Sequence, residues 1–368
     1  MVEWKKMWEL TAWDKKFQGV EKSMQSKIIP YTYLLAKDLF ALAVPNGNIK
    51  LLSTGVQEGW TTEELAGDYL SEGEVVTIPW GKSPGAQNPV KYYKGKFVTG
   101  DNRIATSLDT NVLNNKFLYY WMYSNSDVIE TFYRGAGIQH PSMFKVLTMP
   151  VPLLSISEQK RIVGILDTFT ASIDNLKQQI AQRRKQYEYY RDQLLDLEGK
   201  EGVEMKTLGC ITDKISSGRN KNKLEEGLYP VFGSTGIIAF TNTYLYDKEL
   251  ILVARVGANA GYVYMTDEKC DVTDNTLIVE TKDEYNRKFI YYYLVYKNIN
   301  QYAKGGGQPL ITGGLLKDLF IPIPSLSEQQ RIVDILDKFE ASIQNLEAQL
   351  TQREKQYEYY RNKLLTFD

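Results

Sequence analysis

Apolar residues recur at alternating steps of four and three along two long stretches of the chain. The first stretch has these positions at Ile162, Leu166, Phe169, Ile173, Leu176, Ile180, Arg183, Tyr187, Tyr190 and Leu194. In the second they are Ile332, Leu336, Phe339, Ile343, Leu346, Leu350, Arg353, Tyr357, Tyr360 and Leu364. This spacing is typical of a coiled-coil seam, so it predicts two long helices that pair.

The two stretches are copies of one another. Residues 157–195 and 327–365 align without a gap at an offset of 170 residues, with 27 identities in 39 positions. The simplest partner for one copy is the other, and an internal two-fold relation would make the pair antiparallel. Arg183 and Arg353 interrupt the seam. A polar seam residue can fix register at a cost in stability, or its side chain can extend out of a loosely packed end.

Serine residues mark the predicted start of each helix. Ser157 and Ser327 stand just before the periodic run and are good N-cap residues. Ser155 with Glu158, and the matching pair in the second copy, also fit the spacing of a capping box.

Residues away from the seam are repeated too, although pairing requires only the seam to match. Those predicted to dock a partner are Gln159, Arg161, Gln182, Lys185, Tyr189 and Arg191, with Gln329, Arg331, Gln352, Lys355, Tyr359 and Arg361. Repeated surface residues indicate that the same partner binds twice. Recombination confined to the helices is the alternative that stays open.

A longer segment, less similar between the copies, precedes each helix. Short β-branched runs separated by Gly, Pro and Asn predict that both segments are mixed α/β domains. The predicted boundaries are 1–150 for the first domain, 151–196 for the central helix, 197–202 for a polar linker, 203–322 for the second domain and 323–368 for the C-terminal helix.

Short motifs relate the two domains. KFLYYW at 116–121 corresponds to KFIYYY at 288–293, and WGK at 80–82 stands where the second domain has RVG at 255–257. Gly135 and Gly137 followed by Gln139 match 305–307 followed by Gln308, on a loop just before each helix. We therefore expect one fold in both domains, with differences concentrated in loops.

Charge is balanced along the chain. Residues 1–150 carry 16 basic and 15 acidic side chains, and residues 201–320 carry 14 and 15. Strong nonspecific DNA binding by this chain alone is therefore not expected, since phosphate contacts dominate such binding. If the chain binds nucleic acid, its basic residues must be grouped on one face, or a partner must supply much of the backbone contact.

Composition favours a cytoplasmic protein. Cys210 and Cys270 are too few for a disulfide framework or a four-ligand zinc site, and no signal peptide or membrane-length apolar run is evident.

On these residues the chain resembles a type I restriction–modification specificity subunit. Each helix carries Ser-Glu-Gln-x-Arg-Ile-Val, Ile-Leu-Asp-x-Phe and Lys-Gln-Tyr-Glu-Tyr-Tyr-Arg. In the second domain YPVFGSTGII at 229–238, RVG at 255–257 and GGGQP at 305–309 resemble that family's target recognition domains. The first domain is less typical.

The resemblance implies an α+β fold with two target recognition domains and an antiparallel coiled coil of pseudo-two-fold symmetry. Each domain would read one half of a gapped site in double-stranded DNA, and the helices would set the gap. Two modification subunits, which hold S-adenosylmethionine and methylate adenine, would dock on the helices. Restriction subunits would complete the endonuclease, while this chain would perform no chemistry and bind no membrane.

DNA contacts are expected from polar side chains on projecting loops. In the first domain the candidates are Lys82, Ser83, Gln87, Lys91, Lys94, Lys96, Arg134, Gln139 and His140. In the second they are Ser217, Arg219, Asn220, Lys221, Ser234, Thr235, Arg255, Asn259, Lys304 and Gln308.

Two other function classes are open. A single-chain DNA methyltransferase would need a Gly-rich cofactor loop and an Asn-Pro-Pro-Tyr motif, and the nearest stretch, NPVK at 88–91, lacks the second proline and the tyrosine. His140, the lone histidine, is better explained as a loop residue than as a general base. A coiled-coil adaptor would explain the helices but not two divergent domains with Arg and Lys on Gly-rich loops.

Overall fold

The computed structural model describes residues 2–83, 90–266, 269–305 and 307–367. The chain divides into two compact units, of which unit 1 comprises Met1–Asn175 with Leu350–Asp368 and unit 2 comprises Leu176–Gln349. Each long helix thus contributes a segment to both units. Among the described residues, no helix has the length and apolar character needed to cross a bilayer.

Unit 1 mixes short helices with strands. Its strands are β1 (Glu3–Lys6), β2 (Thr11–Trp13), β3 (Ile49–Leu52), β4 (Gly59–Thr61), β5 (Ser71–Pro79), β6 (Lys91–Thr99), β7 (Asn102–Ser107), β8 (Tyr133–Arg134), β9 (His140–Pro141) and β10 (Pro150–Leu153). The helices that belong wholly to this unit are α1 (Met7–Leu10), α2 (Ala36–Ala41), α3 (Glu63–Ala66), α4 (Asn115–Ser124), α5 (Ser126–Glu130) and α6 (Met143–Thr148).

A six-stranded sheet of order β2-β7-β5-β6-β3-β4 organises unit 1. Its long central strand β5 pairs antiparallel with β6 and β7, and β3 joins β6 in parallel. The core lies where this sheet meets α4, whose Phe117, Leu118 and Met122 are fully buried. The strands β1 and β10 form a separate antiparallel ribbon that leads into the first long helix, α7 (Ile156–Leu195).

Unit 2 also mixes strands with helices, but its domain has two sheets where unit 1 has one six-stranded sheet. Its strands are β11 (Glu204–Thr207), β12 (Thr212–Ser217), β13 (Tyr229–Gly233), β14 (Gly236–Thr241), β15 (Leu250–Ala254), β16 (Val263–Thr266), β17 (Asp271–Val272), β18 (Thr276–Thr281) and β19 (Phe320–Ile323). Its helices are α8 (Arg287–Tyr296) and α9 (Gly313–Lys317), followed by the second long helix, α10 (Leu326–Leu365).

Two sheets form the second domain, with orders β12-β18-β15-β16 and β14-β13-β17. The fully buried strand β15 packs with α8, and the ribbon β11–β19 precedes α10 as β1–β10 precedes α7. The predicted correspondence of 116–121 with 288–293 is confirmed, because both stretches lie in ten-residue helices that begin at asparagine N-caps, Asn114 and Asn286. The predicted α+β fold with two long helices is also confirmed.

Both long helices begin earlier than the sequence suggested. The Ser155 hydroxyl accepts a hydrogen bond from the Glu158 backbone N–H at 3.3 Å, and Ser325 does the same for Glu328. The prediction of Ser157 as the N-cap is therefore wrong, because this residue lies in the first helical turn. The capping box is only half formed, since the Glu158 carboxylate binds Arg161.

The two helices pair in opposite directions. Within unit 2, Arg184 contacts Glu347 at 2.5 Å and Tyr187 contacts Glu340 at 3.2 Å, so the residue number falls along one helix as it rises along the other. Tyr190 stacks on Phe339 there, with ring centroids 5.4 Å apart.

The same pair of seam positions meets in unit 1. Phe169 of α7 stacks on Tyr360 of α10, with centroids 5.2 Å apart. The seam arginines lie beside these phenylalanines: the guanidinium of Arg183 is 5.8 Å from the Phe339 ring, and that of Arg353 is 5.7 Å from Phe169. Each arginine is half-buried in a cation–π contact.

An aspartate on each long helix holds the adjacent domain. In unit 1 the Lys116 ammonium donates to Asp167 at 2.9 Å, and the Tyr120 hydroxyl donates to its other oxygen at 2.6 Å. Burial, followed by this hydrogen bond, raises the pKa of Tyr120. In unit 2 Asp337 accepts from the corresponding lysine at 2.7 Å and tyrosine at 2.6 Å.

Removing this acceptor is expected to destabilise unit 1. Asp167→Ala removes the carboxylate that accepts the hydrogen bond of the buried Tyr120 hydroxyl, and it should lower the free energy of unfolding by about 1–3 kcal/mol, measured by urea denaturation. Asp174→Ala, at an exposed position of the same helix, is the matched control. Equal losses in the two variants would show that the contact has no special role.

Candidate nucleic-acid interface

Residues 272–276 connect most of the predicted DNA-contact loops of unit 2. The backbone N–H groups of Asn220 and Arg255 donate to Val272 and Asn275, both at 2.9 Å. Thr273 N–H donates to the carbonyl of Phe232 at 2.9 Å, next to the turn between β13 and β14. The structure therefore brings loops 217–221, 232–235 and 255–259 to one segment.

The loop that follows α8 joins the same surface. Ile311 N–H donates to the Arg255 carbonyl at 2.9 Å, and Gly257 N–H donates to Pro309 at 3.0 Å. We refer to residues 217–221, 232–235, 255–259, 304–305 and 307–310 together as loop surface 2. It holds every DNA-contact residue that the sequence predicted in this domain.

The side chains of loop surface 2 differ in availability. The exposed ones are Arg219, Lys221, Thr235, Asn259, Lys304 and Gln308, whereas Ser217, Asn220, Ser234 and Arg255 are half-buried. Asn220 is already engaged, because its amide donates to Asp271 at 2.6 Å. Within the described part of the chain, Arg255 donates only a long hydrogen bond, 3.4 Å, to the Asp274 carbonyl, so most of its guanidinium donors remain for a ligand.

Unit 1 has a corresponding but smaller surface, formed by residues 80–83 and 134–140. Lys82 and Gln139 exchange two backbone hydrogen bonds, of 3.1 and 2.9 Å, and Trp80 N–H donates to Asp101 at 3.0 Å. Trp80 thus takes the backbone position of Arg255, as the sequence alignment of the two motifs indicated. We call this set loop surface 1.

The described residues of one turn on each surface have the same pairing and the same glycine conformation. Arg134 pairs with His140 across the first turn, and Lys304 pairs with Leu310 across the second. Gly135 and Gly305 both have positive φ, 136° and 115°. A Cβ at either glycine would lie 2.7 Å from a carbonyl oxygen three residues later, so only glycine fits.

This geometry corrects one sequence correspondence. Because Gly135 is equivalent to Gly305, Gln308 corresponds to Ile138, and Gln139 corresponds to Pro309. The match between Gln139 and Gln308 was therefore wrong by one residue. It relied on the shared residue type, whereas the backbone pairing shows which positions are equivalent.

The lysines predicted for the first domain are largely engaged elsewhere. Lys82 is buried, and its ammonium contacts Glu130 and the Tyr133 ring. The Lys91 ammonium donates to the carbonyls of Ser53, at 2.7 Å, and Gly55, and burial lowers its pKa. These two lysines are therefore removed from the set of candidate DNA contacts.

Two further lysines lie on β6 rather than on a loop. Lys94 faces Glu74 at 3.3 Å, and Lys96 faces Glu63 at 2.5 Å. On loop surface 1, Ser83, Arg134 and His140 are exposed and Gln139 is half-buried. Gln87 lies outside the described residues.

An aromatic cluster on loop surface 1 was not predicted. Trp80 contacts both the Arg103 guanidinium, 4.2 Å from its ring, and His140, whose ring centroid is 4.9 Å away. His140 Nδ1 also lies 2.8 Å from the Trp80 carbonyl oxygen. A cavity of about 440 Å³, lined partly by Trp80, Arg103 and Phe144, adjoins the cluster. The sequence offered no signal for this cluster, because the burial of Arg103 in β7 depends on tertiary contacts.

The repeated residues of the helices fall into two groups. Gln159 and Gln329 are buried, and each accepts a hydrogen bond from a domain backbone, at 2.8 Å from Asn114 and 3.0 Å from Asn286. They offer no surface to a partner, so their repetition reflects a structural role. Their burial comes from the domain, which a helical repeat alone does not reveal.

The other repeated side chains face solvent or lie beside aromatic rings. Arg161 and Arg331 are exposed but form ion pairs within their own helices, with Glu158 and Glu328. Arg191 and Arg361 are half-buried against tyrosine rings. The remaining exposed set comprises Gln182, Lys185 and Tyr189 on α7, with Gln352, Lys355 and Tyr359 on α10.

Comparison with known proteins identifies the family. The family model described as type I restriction modification DNA specificity domain matches residues 37–183 and 200–354. The chain belongs to this family. Its function as a type I specificity subunit with two target recognition domains, predicted from the helical and loop motifs, is confirmed.

Relatives of this specificity protein agree in sequence and in fold. The EcoR124I/EcoR124II specificity subunit of Escherichia coli is 32% identical over 304 residues, covering 72% of this chain and 74% of the relative. The EcoprrI specificity subunit of the same species is 32% identical over 248 residues and covers 61% of each chain. A crystal structure of a type I S subunit from M. genitalium shares the fold, with a TM-score of 0.71 at 20% identity over 100% of this chain and 97% of that one.

Arg255 provides a direct test of loop surface 2 in this specificity protein. Arg255→Ala is expected to reduce discrimination at one base pair of one half-site by about 1–3 kcal/mol, because a guanidinium can donate two hydrogen bonds to guanine. Binding of the assembled complex to cognate and single-substituted DNA measures this. Arg255→Lys is the control that keeps the positive charge but removes the two adjacent N–H donors of the guanidinium. Equal weakening on every DNA sequence would instead make Arg255 a phosphate contact.

Proposed function

We propose that this chain reads a two-part gapped DNA site for a modification and restriction complex and performs no catalysis itself. The observation that carries the proposal is that loop surfaces 1 and 2 share backbone geometry but differ in side chains. Two domains of one fold with different reading groups suit two different half-sites. A bipartite site follows, with one half for each domain.

The helices suit the role of a spacer. Each is 40 residues long, about 60 Å at the α-helical rise, and half-sites on one face of DNA recur about every 34 Å. Both helices run through unit 1 and unit 2. We therefore propose that their length sets the number of unread base pairs between the halves.

The balanced charge favours a partner that shares the DNA contact. The chain has a net charge of −1, and phosphate contacts supply most nonspecific affinity. Modification subunits that carry S-adenosylmethionine would supply both the methylation chemistry and much of the backbone contact. Restriction subunits would add cleavage, and a cytoplasmic location would place the complex beside its DNA.

Exposed aromatic residues support two equal docking sites on the helices. Tyr189 is 62% exposed and Tyr359 is 59% exposed, and each ring contacts the next tyrosine edge-on, at 5.4 and 5.3 Å. Exposed tyrosines are common anchors of protein interfaces. One lies in unit 2 and the other in unit 1, so we propose that one modification subunit docks on each unit.

Substituting these tyrosines should change the stoichiometry stepwise. Tyr189→Ala or Tyr359→Ala alone should leave one modification subunit bound, and the double variant should leave none, as counted by native mass spectrometry. The control is Gln178→Ala, which gives the first copy the residue found at 348 in the second. Two modification subunits on the double variant would contradict the docking proposal.

A map of N6-methyladenine tests the function as a whole. Deleting the gene should erase methylation at one gapped motif, and a lengthened spacer should widen its gap. Seven residues inserted after Gln179 and after Gln349 keep the heptad phase, at the midpoints between the paired ring stacks. Each insertion lengthens its helix by about 10.5 Å, which is the length of about three base pairs of DNA.

The control for the lengthened spacer is an insertion of the same size after Gly199, in the exposed linker. It should leave the motif as it is in the native protein. Altered half-sites with an unchanged gap in the spacer variant would refute the spacer role. Unchanged methylation after deletion, with the modification subunit active, would refute the function itself.

A further inference from the structure

Arg134 and Lys304 occupy the same place in the two domains. Each immediately precedes the positive-φ glycine of its turn and pairs across the turn with the residue six positions later. The chain offset between them is 170 residues, the same as between the helices. The backbone therefore presents a cationic side chain from one equivalent point on loop surface 1 and loop surface 2.

Both cations are available to an anion. Arg134 and Lys304 are exposed, and neither side chain has an ion-pair or hydrogen-bond partner within the described part of the chain. Lys94 and Lys96, by contrast, face glutamates of their own domain. Binding of a phosphate by Arg134 or Lys304 breaks no internal ion pair, so it carries no compensating electrostatic cost.

The positions next to these cations differ in chemistry. Trp80 in the first domain is replaced by Arg255 in the second, and Ile138 is replaced by Gln308. An indole and an aliphatic side chain contact bases through apolar surface, whereas a guanidinium and an amide read donors and acceptors. These positions cannot make the same contacts in the two halves.

We infer that Arg134 and Lys304 are matched phosphate anchors, one for each half-site, which bind DNA irrespective of its sequence. The inference rests on the proposed function, in which the domains read different half-sites. Contacts common to both domains must then involve what every DNA shares, its phosphate backbone. The differing neighbours, Trp80 with Ile138 and Arg255 with Gln308, carry what distinguishes one half-site from the other.

Salt dependence of binding separates a phosphate anchor from a base reader. The double variant Arg134→Ala/Lys304→Ala, assembled with modification subunits, should bind cognate DNA with a log–log salt slope smaller by about 1.8, about 0.9 for each lost contact. The affinity ratio between cognate and half-site-substituted DNA should stay as in the native complex. The exchange variant Arg134→Lys/Lys304→Arg, which keeps both charges, should keep slope and ratio.

Gln308→Ile is the complementary variant, because it gives loop surface 2 the residue found on loop surface 1. It should change base preference in one half-site only and leave the salt slope unchanged. An unchanged slope in the double alanine variant, or a changed base preference in it, would overturn the assignment of anchors. A native complex that shows no preference for the methylated gapped motif would instead refute the proposed function, and this inference with it.

Discussion

The structure depends on one contact made twice, in which an aspartate of a long helix accepts hydrogen bonds from a lysine and a buried tyrosine of the domain helix beside it. Asp167 does this in unit 1 and Asp337 in unit 2. A few residues earlier, Gln159 and Gln329 accept from the backbone at the start of the same domain helices. Each domain is thereby fixed in angle and register on its helix. Loops that must meet DNA together need such a rigid support.

The helices were predictable because their signal is local. A heptad spacing determines the seam whatever surrounds it, and the ring stacks Phe169–Tyr360 and Tyr190–Phe339 lie on that seam. The N-cap prediction was wrong by two residues because serine stands at both 155 and 157. Sequence alone does not show which hydroxyl meets the first free backbone N–H groups.

The residues predicted to contact DNA fall on one contiguous set of loops in the second domain, but only some of them do so in the first. In the second, the motifs around Arg255 and Lys304 fall on loops that the backbone brings together. In the first, Lys82 and Lys91 are turned inward to partners distant in sequence, Glu130 and the carbonyls of Ser53 and Gly55. Burial of a lysine depends on tertiary contacts, so it cannot be predicted from the residue type. The burial of Gln159 was hidden for the same reason.

Among the described residues, the lysine, tyrosine and asparagine that attach each domain to its helix all lie outside loop surface 1 and loop surface 2. The lysine, the tyrosine and the asparagine cap recur at Lys288, Tyr292 and Asn286 with the same partners as in the first domain. The residues that attach a domain to its helix and the residues that distinguish its loops therefore occupy separate parts of the fold, so that substitutions in one set leave the other set in place.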